Sequence, residues 1–164
     1  MESRGLSEKA IRSVDIALAT GDDAPSIIEK NWRMANETEG RDLPRDRLDR
    51  GVRLLLADPS KGFYIVAKVA GEAVGQLMVT FEWSDWRAGT FWWVQSVYVD
   101  AAFRRRGIYR ALYQRVLEMA QADGGVCGVR LYVERHNTVA QTTYAALGME
   151  RAAYEMFELD FVRP

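Results

Sequence analysis

An apolar stretch, Phe91 to Val99, runs through a short polar loop into Arg104-Arg105-Arg106-Gly107, and an amphipathic helix begins at once. No other segment restricts the fold as strongly. A strand that ends in a glycine turn at a helix N-terminus leaves backbone N–H groups without helical acceptors. Partial positive charge collects there too, and the combination binds phosphate. Arg104, Arg105, Arg106 and Arg110 add formal charge and bidentate donors matched to phosphate oxygens. The competing reading is a solvated run of charge; the strand–glycine–helix setting favours phosphate. A pyrophosphate-bearing ligand is therefore expected at this turn.

At 164 residues, 48% of them hydrophobic, the chain is expected to fold as one globular domain over 11–162 after a polar lead-in over 1–10. A net charge of −1 gives no general attraction for nucleic acid, so the arginines act locally. The single cysteine, Cys127, excludes an intrachain disulfide and fits a reducing compartment. With one His and one Cys there is little material for a zinc site, and no metal is expected. No basic-then-apolar leader or membrane-length apolar run is seen, so the expected setting is cytoplasmic, without a membrane partner. A homodimer is the default oligomer.

Hydrophobic spacing gives the elements. Val14, Ile16 and Leu18 alternate in a first strand over Ile11 to Leu18. Asp22-Asp23-Ala24-Pro25 opens a helix that carries Ala24, Ile28, Trp32 and Ala35 on one face. A second helix with Leu48, Val52 and Leu55 stops at Asp58-Pro59. Phe63–Ala70 and Ala73–Trp83 read as strands joined at Gly71-Glu72. Phe91–Val99, apolar on both faces, is expected to be central. Ile108, Leu112, Val116 and Met119 form the stripe of the helix after Gly107, which ends at Asp123-Gly124-Gly125. Cys127, Val129, Leu131 and Val133 mark another strand, Thr138–Leu147 a helix, and Tyr154–Val162 a last strand. The order βααβββαβαβ predicts an α/β fold, a mixed central sheet flanked by helices, with the strand–turn–helix–strand join as a right-handed crossover.

Two segments of this frame resemble signatures of the GCN5-related N-acetyltransferase (GNAT) superfamily. Arg104-Arg105-Arg106-Gly107-Ile108-Tyr109 is similar to its phosphate turn, Gln/Arg-x-x-Gly-x-Gly/Ala, with Tyr109 in place of a small residue. Asn137-Thr-Val-Ala140-Gln-Thr-Thr-Tyr144-Ala-Ala-Leu-Gly148-Met149 looks like Asn-x-x-Ala-x-x-x-Tyr-x-x-x-Gly-Phe, with Met149 for Phe. The resemblance runs from Ile11 to about Phe161 and implies transfer of acetyl from acetyl-CoA, as cosubstrate, to a primary amine of a small molecule or peptide by direct attack. It implies that the thioester carbonyl meets the backbone of Val97, Tyr98 and Val99, and that the pyrophosphate sits over Arg105 to Tyr109. It places Asn137 against the CoA arm, although Asn137 before Thr138 also suits a helix N-cap.

Such a reaction needs a base for the ammonium proton, an oxyanion stabiliser and an acid for the leaving thiolate. Tyr144 is the candidate acid, since a phenol titrating near ~10 can donate while neutral; its bland reading is helix packing. Glu82, near a strand end, is the first candidate base and Glu134 the second. His136 reads as a loop residue and Cys127 as core. Trp83, Trp86, Trp92 and Trp93 cluster with Glu82 and Asp85, either as packing or as an aromatic acceptor pocket for a cationic amine. The alternative function is a non-catalytic acyl-CoA-binding module. Nucleic-acid binding through Arg104–Arg110 is a third class, disfavoured by the near-neutral charge.

Overall fold

A five-stranded sheet organises the chain. The structure, a computed structural model, describes residues 13–162, so the lead-in and Ile11 lie outside the described residues. In chain order the elements are β1 (Asp15–Leu18), α1 (Ala24–Glu39), α2 (Arg45–Ala57), β2 (Phe63–Val69), β3 (Glu72–Ser84), β4 (Gly89–Val99), α3 (Ile108–Asp123), β5 (Val126–Arg130) and α4 (Thr138–Ala146). Short 3-10 turns, Gly21–Asp23 and Ala101–Phe103, stand before α1 and α3. The strands lie in the order β1-β2-β3-β4-β5. The first three pairings are antiparallel, and β4–β5 is parallel because α3 carries the chain back to the start of the next strand. Two compact units divide between Tyr132 and Val133; the sheet and α1 to α3 belong to the first, α4 to the second.

Period-two patterning decides which helix covers which face. Ile65, Ala67, Leu77, Val79, Trp92 and Val94 pack under α3 through Ile108, Leu112, Val116 and Ala120. Tyr64 and Val66 point the other way, onto Ala24, Ile27 and Ile28 of α1 and Val52 of α2. The predicted α3 stripe is thus the face that packs, with Leu112 and Val116 fully buried. β4 is interior, as its two apolar faces imply, although β3 takes the middle position. Asp22 and Asp23 do lead into α1 with Pro25 in its first turn. The Asp23 carboxylate, however, accepts the Thr20 amide at 2.9 Å and pairs with Lys68 of β2 at 2.7 Å instead of capping α1.

Gly62 shows how closely β2 enters the sheet. Its φ is +144°, and a Cβ there would lie 2.1 Å from the Val79 carbonyl oxygen. Gly62→Ala is expected to destabilise the fold by about 2 kcal/mol or more, lowering the melting temperature by roughly 4–8 °C. Thermal unfolding followed by circular dichroism checks this; an unchanged melting temperature would contradict the close approach.

The C-terminal expectations need correction. β5 stops at Arg130, so Leu131 and Val133 continue outside the strand. Tyr154–Val162 forms no strand, and the final β of the predicted order is absent among the described residues. Alternating side chains supply β propensity, but a strand exists only through a hydrogen-bonded ladder, and no ladder takes in these residues. Tyr154, Phe157 and Phe161 are accordingly exposed.

Candidate active site

The turn before α3 has the backbone of an anion cradle. Arg105 (φ +62°) and Gly107 (φ +79°) are left-handed while Arg106 between them is not. Such alternation curls successive N–H groups toward one side. Gly107 is the N-cap of α3, and its carbonyl accepts the Ala111 amide at 3.0 Å. The amides of the first turn have no acceptor within the helix. A Cβ at Gly107 would meet no atom within 4 Å, so the space beside the turn is open. Arg105, Arg106 and Arg110 are exposed around it, and Ile108 anchors it in the core. Tyr109, the departure from the small residue, stacks on Tyr113 at 6.0 Å and packs against the α3-side core. A phosphate fits this turn.

Arg104 does something different from its neighbours. Its Nη2 donates to Glu37 in the last turn of α1 at 2.6 Å, and its Nε donates to the Val99 carbonyl at 2.8 Å. Tyr98 Oη donates to the other Glu37 oxygen at 2.8 Å. The Arg104 guanidinium thus joins α1, the end of β4 and the turn through its Nε and Nη2 groups. Buried Lys30 makes a parallel tie from α1, donating to Ser26 at 3.0 Å and pairing with Asp100 at 3.5 Å. Arg104 and then Tyr98 hold the Glu37 carboxyl below its ordinary 4.5, while burial and then Glu37 push the Tyr98 phenol up.

A group whose folded pKa is depressed stabilises the fold above its unfolded value and loses that contribution as pH falls through the folded value. Glu37→Gln is thus expected to melt a few degrees lower at neutral pH, since a half-exposed pair is worth about 1 kcal/mol or less. The difference from the parent should vanish as the pH is taken below 4.5 through the depressed value. Melting curves across pH 3–7 test this; a gap that persists at the acid end would contradict the clamp.

Beside the turn, β4 is irregular. Gln76 pairs with Tyr98 but Met78 pairs with Gln95, so two steps on β3 face three on β4. Ser96 takes up the extra residue at φ +49°, a conformation that costs a non-glycine residue about 1–2 kcal/mol. The β4–β5 ladder ends at Trp93–Arg130, leaving the β5-facing edge from Val94 to Val99 without a strand partner among the described residues. Backbone polar groups on such an edge are available to a ligand. Val97 and Val99 thus stand on a bulged strand edge that leads through Asp100 into the Arg104–Gly107 turn.

The structure does not bring Glu82 to this edge. Its strand partner is Phe91, six residues from Val97, or roughly 20 Å of strand. Its carboxylate accepts Trp93 Nε1 at 2.5 Å and Arg130 Nη1 at 3.2 Å, a structural pairing in place of a free base. The four tryptophans are also divided. Trp92 sits in the α3-side core against Phe63 at 5.1 Å, whereas Trp83 and Trp86 are exposed at the β3–β4 hairpin. Only Trp93 shares the Glu82 face, 6.1 Å from Tyr132.

Asn137, Glu134 and Tyr144 belong to the second unit. Asn137 Oδ1 accepts the Ala140 amide at 3.1 Å as the N-cap of α4, and the Glu134 carboxylate accepts the His136 amide at 2.7 Å. Burial raises the pKa of the Tyr144 phenol. Among the described residues no group of three or more His, Cys, Asp or Glu is placed to hold a metal ion. No helix among them is long and apolar enough to cross a membrane.

The model of the acetyltransferase (GNAT) family matches residues 24–149, from the first residue of α1 to Met149. The chain belongs to the GNAT acetyltransferase family. Solved GNAT structures carry the same fold. A possible acetyltransferase from Clostridium difficile 630 is 43% identical, with a TM-score of 0.85 over 92% of this chain and 99% of that one. The ribosomal-protein-alanine N-acetyltransferase of Brucella melitensis biovar Abortus 2308 is 21% identical, with a TM-score of 0.74 over 92% and 100%. AAC(6')-Iy, solved in complex with a bisubstrate analog, CoA-S-monomethyl-acetylneamine, is 18% identical, with a TM-score of 0.73 over 92% and 99%. Among curated proteins none matches the sequence. The matched GNAT span includes both the Arg104–Tyr109 turn and the Asn137–Met149 segment.

Glu37 and the buried polar residues Asn31, Tyr64 and Gln76 were not singled out by sequence. The available signal was a polar side chain interrupting an apolar stripe, as Asn31 does between Ile28 and Ala35.

Proposed function

We propose that this GNAT chain transfers an acetyl group from acetyl-CoA to a primary amine of a small molecule or peptide. The observation that carries the reading is the alternating backbone at Arg105–Gly107, opening α3 after the bulged β4, whose pairing with β5 ends at Trp93. In this reading the amides of Gly107 to Arg110 and the exposed guanidinium groups of Arg105, Arg106 and Arg110 hold the diphosphate. The backbone from Val97 through Tyr98 to Val99 aligns the acyl group, and Arg104 acts as the clamp of the turn. When bound, acetyl-CoA supplies the activated acyl carbon.

Direct attack by a neutral amine forms the amide C–N bond as the C–S bond breaks. Tyr144 gives its proton to the departing thiolate; burial raises its pKa, so the phenol is neutral at physiological pH. With Glu82 held by Arg130, the ammonium proton leaves to water before attack, and the proton shed by the nitrogen as the amide forms passes through water to restore the Tyr144 phenol. Asn137 caps α4 and contacts the CoA arm. The N-acetyltransferase identity of the ribosomal-protein-alanine relative and the acetylneamine analog bound by AAC(6')-Iy both support an amine acceptor. A panel of amines with acetyl-CoA, followed by thiol release, tests the reading. Acetyl-CoA-dependent, amine-dependent thiol release is expected; binding without release for any amine class would favour the non-catalytic module.

A further inference from the structure

Two ion pairs of opposite polarity fix α1 to the two ends of the segment that carries β4 into α3. Asp100, which precedes the 3-10 turn Ala101–Phe103, pairs with Lys30 at 3.5 Å. Arg104, which follows that turn, donates from Nη2 to Glu37 at 2.6 Å. Lys30 and Glu37 lie two turns apart on one face of α1. The Asp100 end is also tied to the sheet, since its amide donates to the Val74 carbonyl at 2.9 Å. The Arg104 end has a tie of its own. Arg104 Nε donates to the Val99 carbonyl at 2.8 Å, and the guanidinium carbon lies 5.3 Å from the centre of the Tyr98 ring. Tyr98 Oη donates at 2.8 Å to the Glu37 oxygen that Arg104 does not use.

By charge alone, a carboxylate is out of place here. A turn that binds a diphosphate is weakened by a neighbouring negative charge, because Coulomb repulsion opposes the ligand. What Glu37 adds is geometry. Its two oxygens accept one donor each, Tyr98 Oη on one and Arg104 Nη2 on the other. The planar fork of Arg104 is thereby aimed with Nε on the Val99 carbonyl. The next residue, Arg105, has φ +62°, and a non-glycine residue stays there only where its surroundings over-determine it. The fork fixes the chain immediately before that residue.

We propose that Glu37 is a positioning residue for coenzyme A: by seating Arg104 on the Val99 carbonyl it pre-orders the Arg105–Gly107 turn, which then grips the diphosphate more tightly with this carboxylate than without it. The proposal rests on the reading of the turn as the diphosphate site. It reverses the sign expected from charge. Deleting Glu37 raises the positive potential at the turn, which by itself strengthens anion binding. A turn left in its binding arrangement for about a tenth of the time binds about tenfold more weakly instead.

Titration calorimetry with coenzyme A compares three variants with the parent, each shown to be folded by circular dichroism at the same temperature. Glu37→Ala is expected to raise the dissociation constant about tenfold. Glu37→Gln removes the same charge but keeps an oxygen for Arg104 Nη2, and should recover at least about threefold of that loss. Arg104→Lys keeps the positive charge but offers a single nitrogen in place of the fork, and should lose about as much as Glu37→Ala. A residue that only stabilised the fold would leave affinity unmoved in folded variants. Charge alone predicts equally tighter binding by both Glu37 variants and near-parental binding by Arg104→Lys. Affinity in Glu37→Ala equal to or above the parent's, or equal affinity in the alanine and glutamine variants, overturns the proposal and leaves the diphosphate reading standing. Parental affinity in Arg104→Lys does the same. A parent that binds no coenzyme A overturns that reading and the proposal with it.

Discussion

Gly107→Val is expected to weaken coenzyme A binding by roughly thirtyfold, about 2 kcal/mol. Gly107 caps α3 at φ +79°, where a β-branched residue is a severe outlier. The open space around its Cβ direction rules out a clash as the cause, so the strain is in the backbone. Its relief rotates the first turn of α3, and the amides of Ile108 and Arg110 lose their common aim. The fold itself should lose only about 1–2 kcal/mol, so the variant melts a few degrees lower and remains folded. Asparagine, which tolerates the left-handed region, should keep most of the affinity. Titration calorimetry of parent, valine and asparagine variants gives the ordering; equal affinity in all three would mean that the amides at this turn do not hold the ligand.

Tyr144→Phe is expected to lower kcat about tenfold or more while leaving coenzyme A affinity within error. The phenol is the one acid proposed for the leaving thiolate, and phenylalanine preserves its shape while deleting the proton. Because burial raises its pKa above the ordinary 10.0, the proton is retained throughout the neutral range. Tyr144 therefore introduces no loss of kcat with rising pH until the ordinary phenol range has been passed. Steady-state kinetics with saturating amine separates the two parameters. Full turnover in the phenylalanine variant would remove Tyr144 from the mechanism and leave it as a helix-packing residue.

The elements that position the site follow from local periodicity. The α3 stripe Ile108, Leu112, Val116 and the period-two faces of β2 and β3 each state which side meets the core, and the glycine before α3 marks where the helix starts. What sequence left open is set by contacts between residues far apart in the chain. The tie from Arg104 to α1 depends on Glu37, 67 residues away. A run of arginines looks uniform in sequence, and only the fold tells one guanidinium from the next.

The bulge at Ser96 is similarly hidden, because one extra residue in a strand leaves an apolar pattern almost unchanged. Adjacent Trp92 and Trp93 could have been separated by the pleat alone, which sends neighbours to opposite faces. Glu82 lay on a correctly read strand, yet its role turned on Arg130, 48 residues away, which takes up the carboxylate. The alternating tail Tyr154–Val162 shows the limit of propensity, since a strand also needs a neighbour.

The most direct measurement is calorimetric titration of the folded protein with coenzyme A and, separately, with pantetheine, which carries the thiol arm without the diphosphate. Saturable coenzyme A binding with a dissociation constant below about a millimolar, and little or no heat from pantetheine, is the result expected if the α3 turn grips the diphosphate. No heat from coenzyme A at millimolar concentration, or equal binding of the two compounds, would contradict it.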